Sequence, residues 1–251
     1  TEPLLDEGID TLAPTADSVT VVPLSLFAAG HVKNDIPLFV QYGRQAYSET
    51  DFFYGSNLGA RPEMIEMAAD RITSATDEIE ADPAEDDVAV VFVARGSSDP
   101  DANSEAYRLA RLVYEGRPYS RVETAFIGIT EPHLDQVMTE VTRHDPDAVV
   151  VMPYMLGDGV LNQRIADTVA AYDDEHETIE ATKTDVLGVD ERLIRALEHR
   201  VMEARQGAVS MSCDQCIYKV TLADFEEAVG GEQAFVDSLE HTLAHVSEEH
   251  D

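Results

Sequence analysis

Thr1–Leu24 reads TEPLLDEGIDTLAPTADSVTVVPL, and Thr130–Tyr154 reads TEPHLDQVMTEVTRHDPDAVVVMPY. Both segments open with Thr-Glu-Pro, continue through a helical stretch and a polar turn, and enter a β-branched run that ends near a proline. A single-residue gap aligns them. Further along the chain, Leu58–Ile65 matches Leu187–Ile194 at nearly the same offset. Two independent matches at nearly one offset predict an internal duplication.

The second copy has a front part that the first copy lacks. Val88–Val93 is a continuous apolar run of the length of a buried parallel strand. A Gly-Ser-Ser-Asp-Pro turn then leads into a predicted helix at about 101–114, and Arg121–Ile127 is predicted to be a second strand. Because the sequence opens at the Thr-Glu-Pro of the first copy, we expect that copy to lack an N-terminal strand-helix-strand of roughly forty residues, by comparison with the second.

Strands that alternate with helices predict an α/β fold with parallel sheets covered on both faces. We expect two pseudo-duplicated lobes, at 1–83 and 84–206, joined by an acidic linker at 82–87 and followed by a C-terminal tail at 207–251. In open α/β sheets the ligand binds beyond the carboxyl ends of the strands. Functional residues are therefore expected in the loops that follow the strands.

The charge of the chain restricts its partners. Fifty acidic residues against seventeen Lys and Arg give a net charge of −33, which disfavours binding to nucleic acid or to an anionic membrane. No window approaches the roughly 20 apolar residues of a membrane span, and no apolar leader follows a basic start, so we expect a cytoplasmic protein. Because the acids are spread along the chain, we predict a salt-rich cytoplasm such as that of a halophilic archaeon; the alternative is an acidic mesophilic enzyme.

The loop after the first predicted strand holds a candidate metal ligand. Phe27–Pro37 reads FAAGHVKNDIP, and its small residues let a ligand approach the backbone closely. His31 then stands near the carboxyl end of the strand. Imidazole binds Fe, Co, Ni and Zn and accepts a proton near neutral pH. The alternative is a histidine that is simply a hydrogen-bonded polar group.

Three stretches carry a family resemblance. Pro23–Pro37, Arg95–Asn103 and Val151–Val160 are similar, in this order, to motifs of the sirohydrochlorin cobaltochelatases, the long-form class II chelatases, and the likeness covers about residues 1–205. The resemblance implies ATP-independent insertion of Co²⁺ into sirohydrochlorin on the way to cobalamin, with His31 as metal ligand and base. Both abilities suit this reaction, because two pyrrole protons leave as the metal enters.

The chain departs from the family pattern at two places. The family's first half opens with a Gly-His-Gly-Ser that stands before the start of this sequence, and the second half carries Arg95 where the corresponding histidine would be. Val160 aligns with His31. We therefore expect the site in the first lobe, with no two-histidine equivalent in the second.

Sirohydrochlorin is rich in carboxylates, so its pocket needs cations or backbone N–H groups. Ser97 and Ser98 lie at a predicted helix start, which is a natural site for an anion. The alternative for each cation is an ordinary surface charge. The predicted substrate-binding residues are Lys33, Asn34, Arg44, Arg95, Ser97, Ser98 and Arg164.

The tail contains a Cys-x-x-Cys, Cys213 and Cys216. Two cysteines give no disulfide framework, which fits a reducing compartment. They supply two of the four ligands of a structural zinc, so a homodimer would have to share a zinc or an iron–sulfur cluster there. Long-form members of the resembled family carry a similar pair, which favours an accessory metal or Fe–S site.

The sequence leaves other functions open. Imidazole affinity follows the Irving–Williams order and does not single out cobalt, so a siroheme ferrochelatase is the near alternative. A tetrapyrrole- or metal-binding protein without turnover is the second. A two-lobed binder of small ligands is the third; the absence of a signal segment and of a long hinge in this sequence argues against it.

Overall fold

A computed structural model describes residues 3–176, 178–207 and 236. Helices and strands alternate along these residues, and none of the helices is long and apolar enough to cross a membrane. In chain order the elements are α1 (Leu5–Leu12), β1 (Ser18–Val21), α2 (Ile36–Ala46), β2 (Asp51–Tyr54), α3 (Pro62–Glu78), β3 (Val88–Ala94), α4 (Pro100–Tyr114), β4 (Arg121–Phe126), α5 (Leu134–Thr142), β5 (Ala148–Pro153), α6 (Val160–Glu175), β6 (Glu180–Lys183) and α7 (Glu191–Arg205).

The described chain divides into two compact units. Unit 1 takes its residues from Thr1–Gly59, Asp99–Asp101 and the segment that starts at Leu197; unit 2 comprises Ala60–Ser98 and Ala102–Ala196. The helix α3, which follows β2, belongs to unit 2, whereas the C-terminal half of α7 belongs to unit 1. The lobe bounds 1–83 and 84–206 were expected from composition and remain a prediction.

Unit 2 is built on a four-stranded parallel sheet with the order β4-β3-β5-β6. The two central strands, β3 and β5, are buried along their whole length, because their β-branched side chains are apolar on both faces. Ala89, Val91 and Val93 point to one face and pack with apolar residues of α5 and α6. The predicted α/β class with parallel sheets and flanking helices is confirmed.

Unit 1 contains a two-stranded parallel sheet, β1-β2, with α1 and α2. Its small core joins Ile9, Val19, Val40 and Phe52. Gly43 lies in the middle of α2, where glycine is otherwise unfavourable. A Cβ atom there would stand 2.5 Å from the Phe52 ring, so the glycine lets the helix approach the sheet.

Candidate functional site

His31 begins a π-helical turn, His31–Asp35, in the loop between β1 and α2. The N–H of Ile36 donates to the carbonyl of His31, five residues earlier in the chain. In an α-helix the acceptor would be the carbonyl four residues earlier. Turns of this kind are often found at functional sites. The imidazole itself is 89% exposed. The turn therefore presents the ring to solvent directly before α2.

The orientation of the ring is set by Asp35. The Nδ1 atom of His31 is hydrogen-bonded to Oδ2 of Asp35, one helical turn further on. An ionised carboxylate only accepts hydrogen bonds, so this contact places the imidazole proton on Nδ1. In the neutral imidazole the lone pair is then on Nε2, the atom that can bind a metal ion or accept a proton. A carboxylate on the other ring nitrogen is the usual support of a metal-binding histidine.

The rest of the turn is held by buried residues. Val32 is buried, and its carbonyl accepts a hydrogen bond from the Tyr54 hydroxyl at 2.5 Å. Burial raises the pKa of Tyr54, so this hydroxyl stays protonated and remains a donor. Asn34 is also buried, and its Nδ2 donates to Oδ1 of Asp35 at 3.2 Å. These contacts fix the turn from which the exposed imidazole projects.

Lys33 points away from solvent. Its Nζ lies 2.7 Å from Oδ2 of Asp99 and 2.8 Å from Oδ2 of Asp101, and its side chain is 2% exposed. Burial lowers the pKa of Lys33, but the hydrogen bonds and charges of Asp101 and Asp99 outweigh burial and raise it overall. All three residues belong to unit 1. In this conformation the Lys33 ammonium, predicted to bind substrate, is engaged by two carboxylates and does not reach a ligand from solvent.

Arg95, Ser97 and Ser98 follow β3 in unit 2. The N–H of Ser97 was expected to bind an anion, but it donates to Asn103 Oδ1 at 2.9 Å and to Thr130 Oγ1 at 3.1 Å. The carbonyl of Ser97 accepts from the same two side chains. Ser97 therefore holds the turn together. Ser98 and Arg95 are exposed.

The remaining predicted cations lie on helices. Arg44 is in the last turn of α2, where its Nη2 donates to the carbonyl of Phe52 at 2.8 Å. Arg164 is exposed on α6. Within residues 3–176 and 178–207, the guanidinium groups of Arg95 and Arg164 have no hydrogen-bond or ion-pair partner, so both are free to meet an anionic ligand.

Sequence reasoning missed Asp35, Tyr54, Asp99 and Asp101. The signal for Asp35 was present, because a spacing of four residues brings two side chains together on a helical turn. Across the described parts of the chain, no three His, Cys, Asp or Glu side chains cluster as a metal site. Within these parts of the chain, His31 is therefore not joined by two further side chains of these types. The predicted accessory site at Cys213 and Cys216 lies outside the described residues.

The fold and the motifs together define a class of protein. The structure of SirB from Bacillus subtilis with Fe³⁺ is similar to this chain, with a TM-score of 0.73 and 25% identity, covering 84% of this chain and 82% of that one. This parallel α/β fold is that of the class II chelatases. The CbiX family model matches residues 1–75 and 89–204.

The chain belongs to the CbiX family, as the match over more than half of its length shows. A sirohydrochlorin cobaltochelatase of Priestia megaterium is 36% identical over 223 residues, which are 88% of this chain and 72% of that protein. A sirohydrochlorin ferrochelatase of the same organism is 26% identical over 200 residues, 79% of this chain and 73% of that protein. The resemblance inferred from the three motifs is confirmed at the level of the family.

Proposed function

We propose that this protein is a sirohydrochlorin chelatase that inserts Co²⁺ without ATP, with His31 as metal ligand and base. The observation that carries the proposal is the exposed imidazole of His31, whose Nδ1 is hydrogen-bonded to Asp35 and whose Nε2 has no hydrogen-bond partner among residues 3–176 and 178–207. Membership of the CbiX family and the similarity to a cobaltochelatase support the choice of reaction and metal.

In this reaction the protein has to position the metal ion and the tetrapyrrole and to accept protons. The tetrapyrrole gains a divalent cation and loses two pyrrole protons, so the charge of the ring core is conserved. Nε2 of His31 holds the incoming Co²⁺ at the ring face; once the ion has passed to the ring, the same atom accepts one of the protons, and water takes the other. Asp35 stabilises the imidazolium that forms.

The strand ends of unit 2 are suited to the substrate. After β4 and β5, the strands that flank β3, come Ile129 in a loop and Val160 as the first residue of α6; these two residues are 77% and 79% exposed. Arg95 follows β3 between them. Sirohydrochlorin has an apolar ring with carboxylates at its edge, so we assign Ile129 and Val160 to the ring and Arg95 to a carboxylate. Further carboxylate contacts are proposed for Asn34, Arg44, Ser98 and Arg164.

Replacing Arg95 with methionine is expected to weaken sirohydrochlorin binding by about threefold to tenfold. The corresponding loss of binding free energy lies between that of an exposed ion pair and that of a hydrogen bond to a charged group. The dissociation constant can be measured by absorbance titration of the free tetrapyrrole. Arg111→Met is the matched control, because Arg111 is an exposed residue on α4 that pairs with Glu115. Equal dissociation constants for the parent and both variants would show that Arg95 does not bind sirohydrochlorin.

The function is tested by mixing the purified protein anaerobically with sirohydrochlorin and either Co²⁺ or Fe²⁺, and following the absorbance change. We expect a higher kcat/KM with Co²⁺. A higher kcat/KM with Fe²⁺ would make the protein a ferrochelatase, like the similar protein of Priestia megaterium that bears this name. Rates equal to the spontaneous reaction with both metals would indicate a tetrapyrrole- or metal-binding protein without turnover.

Zinc or Fe–S binding at Cys213 and Cys216, a homodimer, and a cytoplasmic location remain predictions.

A further inference from the structure

We infer that Lys33, Asp99 and Asp101, here called the clamp, position the His31 turn for metal transfer. The inference rests on the proposed role of His31 and adds three positioning residues to it. The three side chains act by positioning the turn, and none of them contacts the metal or the tetrapyrrole in this scheme.

The clamp is a closed set of short contacts. The Lys33 ammonium lies within 2.8 Å of both carboxylates, and Asp99 and Lys33 are almost completely buried. The other oxygen of Asp99, Oδ1, accepts a hydrogen bond from the backbone N–H of Asp101 at 3.0 Å. The Asp99 carboxylate is therefore held both by the backbone N–H of Asp101 and by the Lys33 ammonium.

The clamp acts on the same turn that presents the imidazole. Lys33 is two residues after His31 and lies inside the π-helical turn. Its backbone N–H donates to the carbonyl of Ala29, two residues before His31. The imidazole is exposed, and its Nδ1 atom is hydrogen-bonded to Asp35, a member of the same turn. The place of Nε2 is therefore set by the backbone of the turn, which is anchored by the clamp and by the hydrogen bond from Tyr54 to the carbonyl of Val32.

The clamp also has an electrostatic consequence. Two carboxylates that share an ammonium are not free to bind a divalent cation. Removing Lys33 alone would take away the ammonium that the two carboxylates share. Breaking a buried ion pair in this way is strongly destabilising, and it would leave two neighbouring carboxylates as a competing cation site. Exchanging all three groups for neutral side chains removes the ammonium together with both carboxylates, and replacing a buried ion pair as a whole is often nearly neutral for stability. The informative variant is therefore Lys33→Met/Asp99→Asn/Asp101→Asn.

The triple variant is expected to unfold at a temperature close to that of the parent. Its KM for Co²⁺ in the metallation assay should rise about tenfold, the size of effect usual for residues that support a metal ligand. Its KM for sirohydrochlorin should stay the same. Lys183→Met is the matched control, since Lys183 lies on β6 in unit 2 and its Nζ donates to the carbonyl of Thr184; this variant should match the parent in every measurement.

A second readout does not depend on turnover. The ring signals of His31 in ¹H–¹⁵N NMR spectra, assigned by their loss in His31→Ala, should shift in the triple variant and not in Lys183→Met. A folded triple variant with parental KM for Co²⁺ and parental His31 ring signals would overturn the inference. If the parent itself does not metallate sirohydrochlorin, the proposed function is wrong. The ring signals of His31 then test by themselves whether the clamp positions the turn.

Discussion

Replacing His31 with alanine lowers the rate of Co²⁺ insertion into sirohydrochlorin by at least about 100-fold, because a positioned general base alone commonly contributes that much. The substitution also removes the metal ligand of the turn. Sirohydrochlorin binding should stay nearly unchanged, since the groups assigned to the ring and its carboxylates lie elsewhere. Stopped-flow absorbance at saturating Co²⁺ and tetrapyrrole gives kcat, and a titration without metal gives the dissociation constant.

A suitable control for this substitution is His144→Ala, since His144 is an exposed histidine in the turn that follows α5 in unit 2. It should leave both constants within experimental error of the parent. Near-parental turnover by His31→Ala would place the chemistry at another group. A large loss of sirohydrochlorin binding in the same variant would make His31 a substrate contact and not a metal ligand.

Lowering the salt concentration should destabilise the folded chain strongly. The screening length is about 3 Å in 1 M salt and about 30 Å in 0.01 M salt, so the excess acids repel one another over the whole molecule in dilute buffer. At only about 0.2 kcal/mol per excess charge, the low end for exposed pairs, the net charge of −33 amounts to about 7 kcal/mol. Since 1 kcal/mol shifts the Tm of a chain this size by roughly 2–4 °C, we expect a fall of at least about 10 °C.

Circular dichroism melts in KCl from 0.01 to 2 M measure this effect. Sucrose is the control, because it stabilises by exclusion from the protein surface without screening charge. The Tm in dilute buffer should recover with KCl far more than with sucrose. A Tm that is flat across the KCl series would show that the acids do not destabilise the fold, and the prediction of a salt-rich cytoplasm would lose its physical basis.

The elements of unit 2 could be predicted from the sequence with good bounds. The apolar run Val88–Val93 is the strand Val88–Ala94, and the helix predicted at about 101–114 begins at Pro100 and ends at Tyr114. Arg121–Ile127 is the strand Arg121–Phe126. These predictions succeeded because a strand buried on both faces is apolar throughout, and because Gly and Pro mark the turns around it.

The partners of the predicted site residues could not be found in this way. Lys33 binds Asp99, which is 66 residues away in the chain, and no spacing rule connects residues so far apart. A lysine near a strand end looks the same in the sequence whether it faces a ligand or a buried carboxylate. The N–H of Ser97 at a helix start matched an anion site, but Asn103 and Thr130 occupy it in the fold.

Unit 1 is assembled from segments that are far apart in the chain, and this has a consequence for how the protein folds during synthesis. Its first segment ends at Gly59, whereas the helical segment of α7 that completes it begins at Leu197. Arg200 on this helix donates to the carbonyl of Leu58 at 2.7 Å. At a synthesis rate of about 5–20 residues per second, the N-terminal segment leaves the ribosome roughly 7–30 s before its partner. Unit 2, which ends at Ala196, can therefore form its core before the last helical segment of unit 1 has been made.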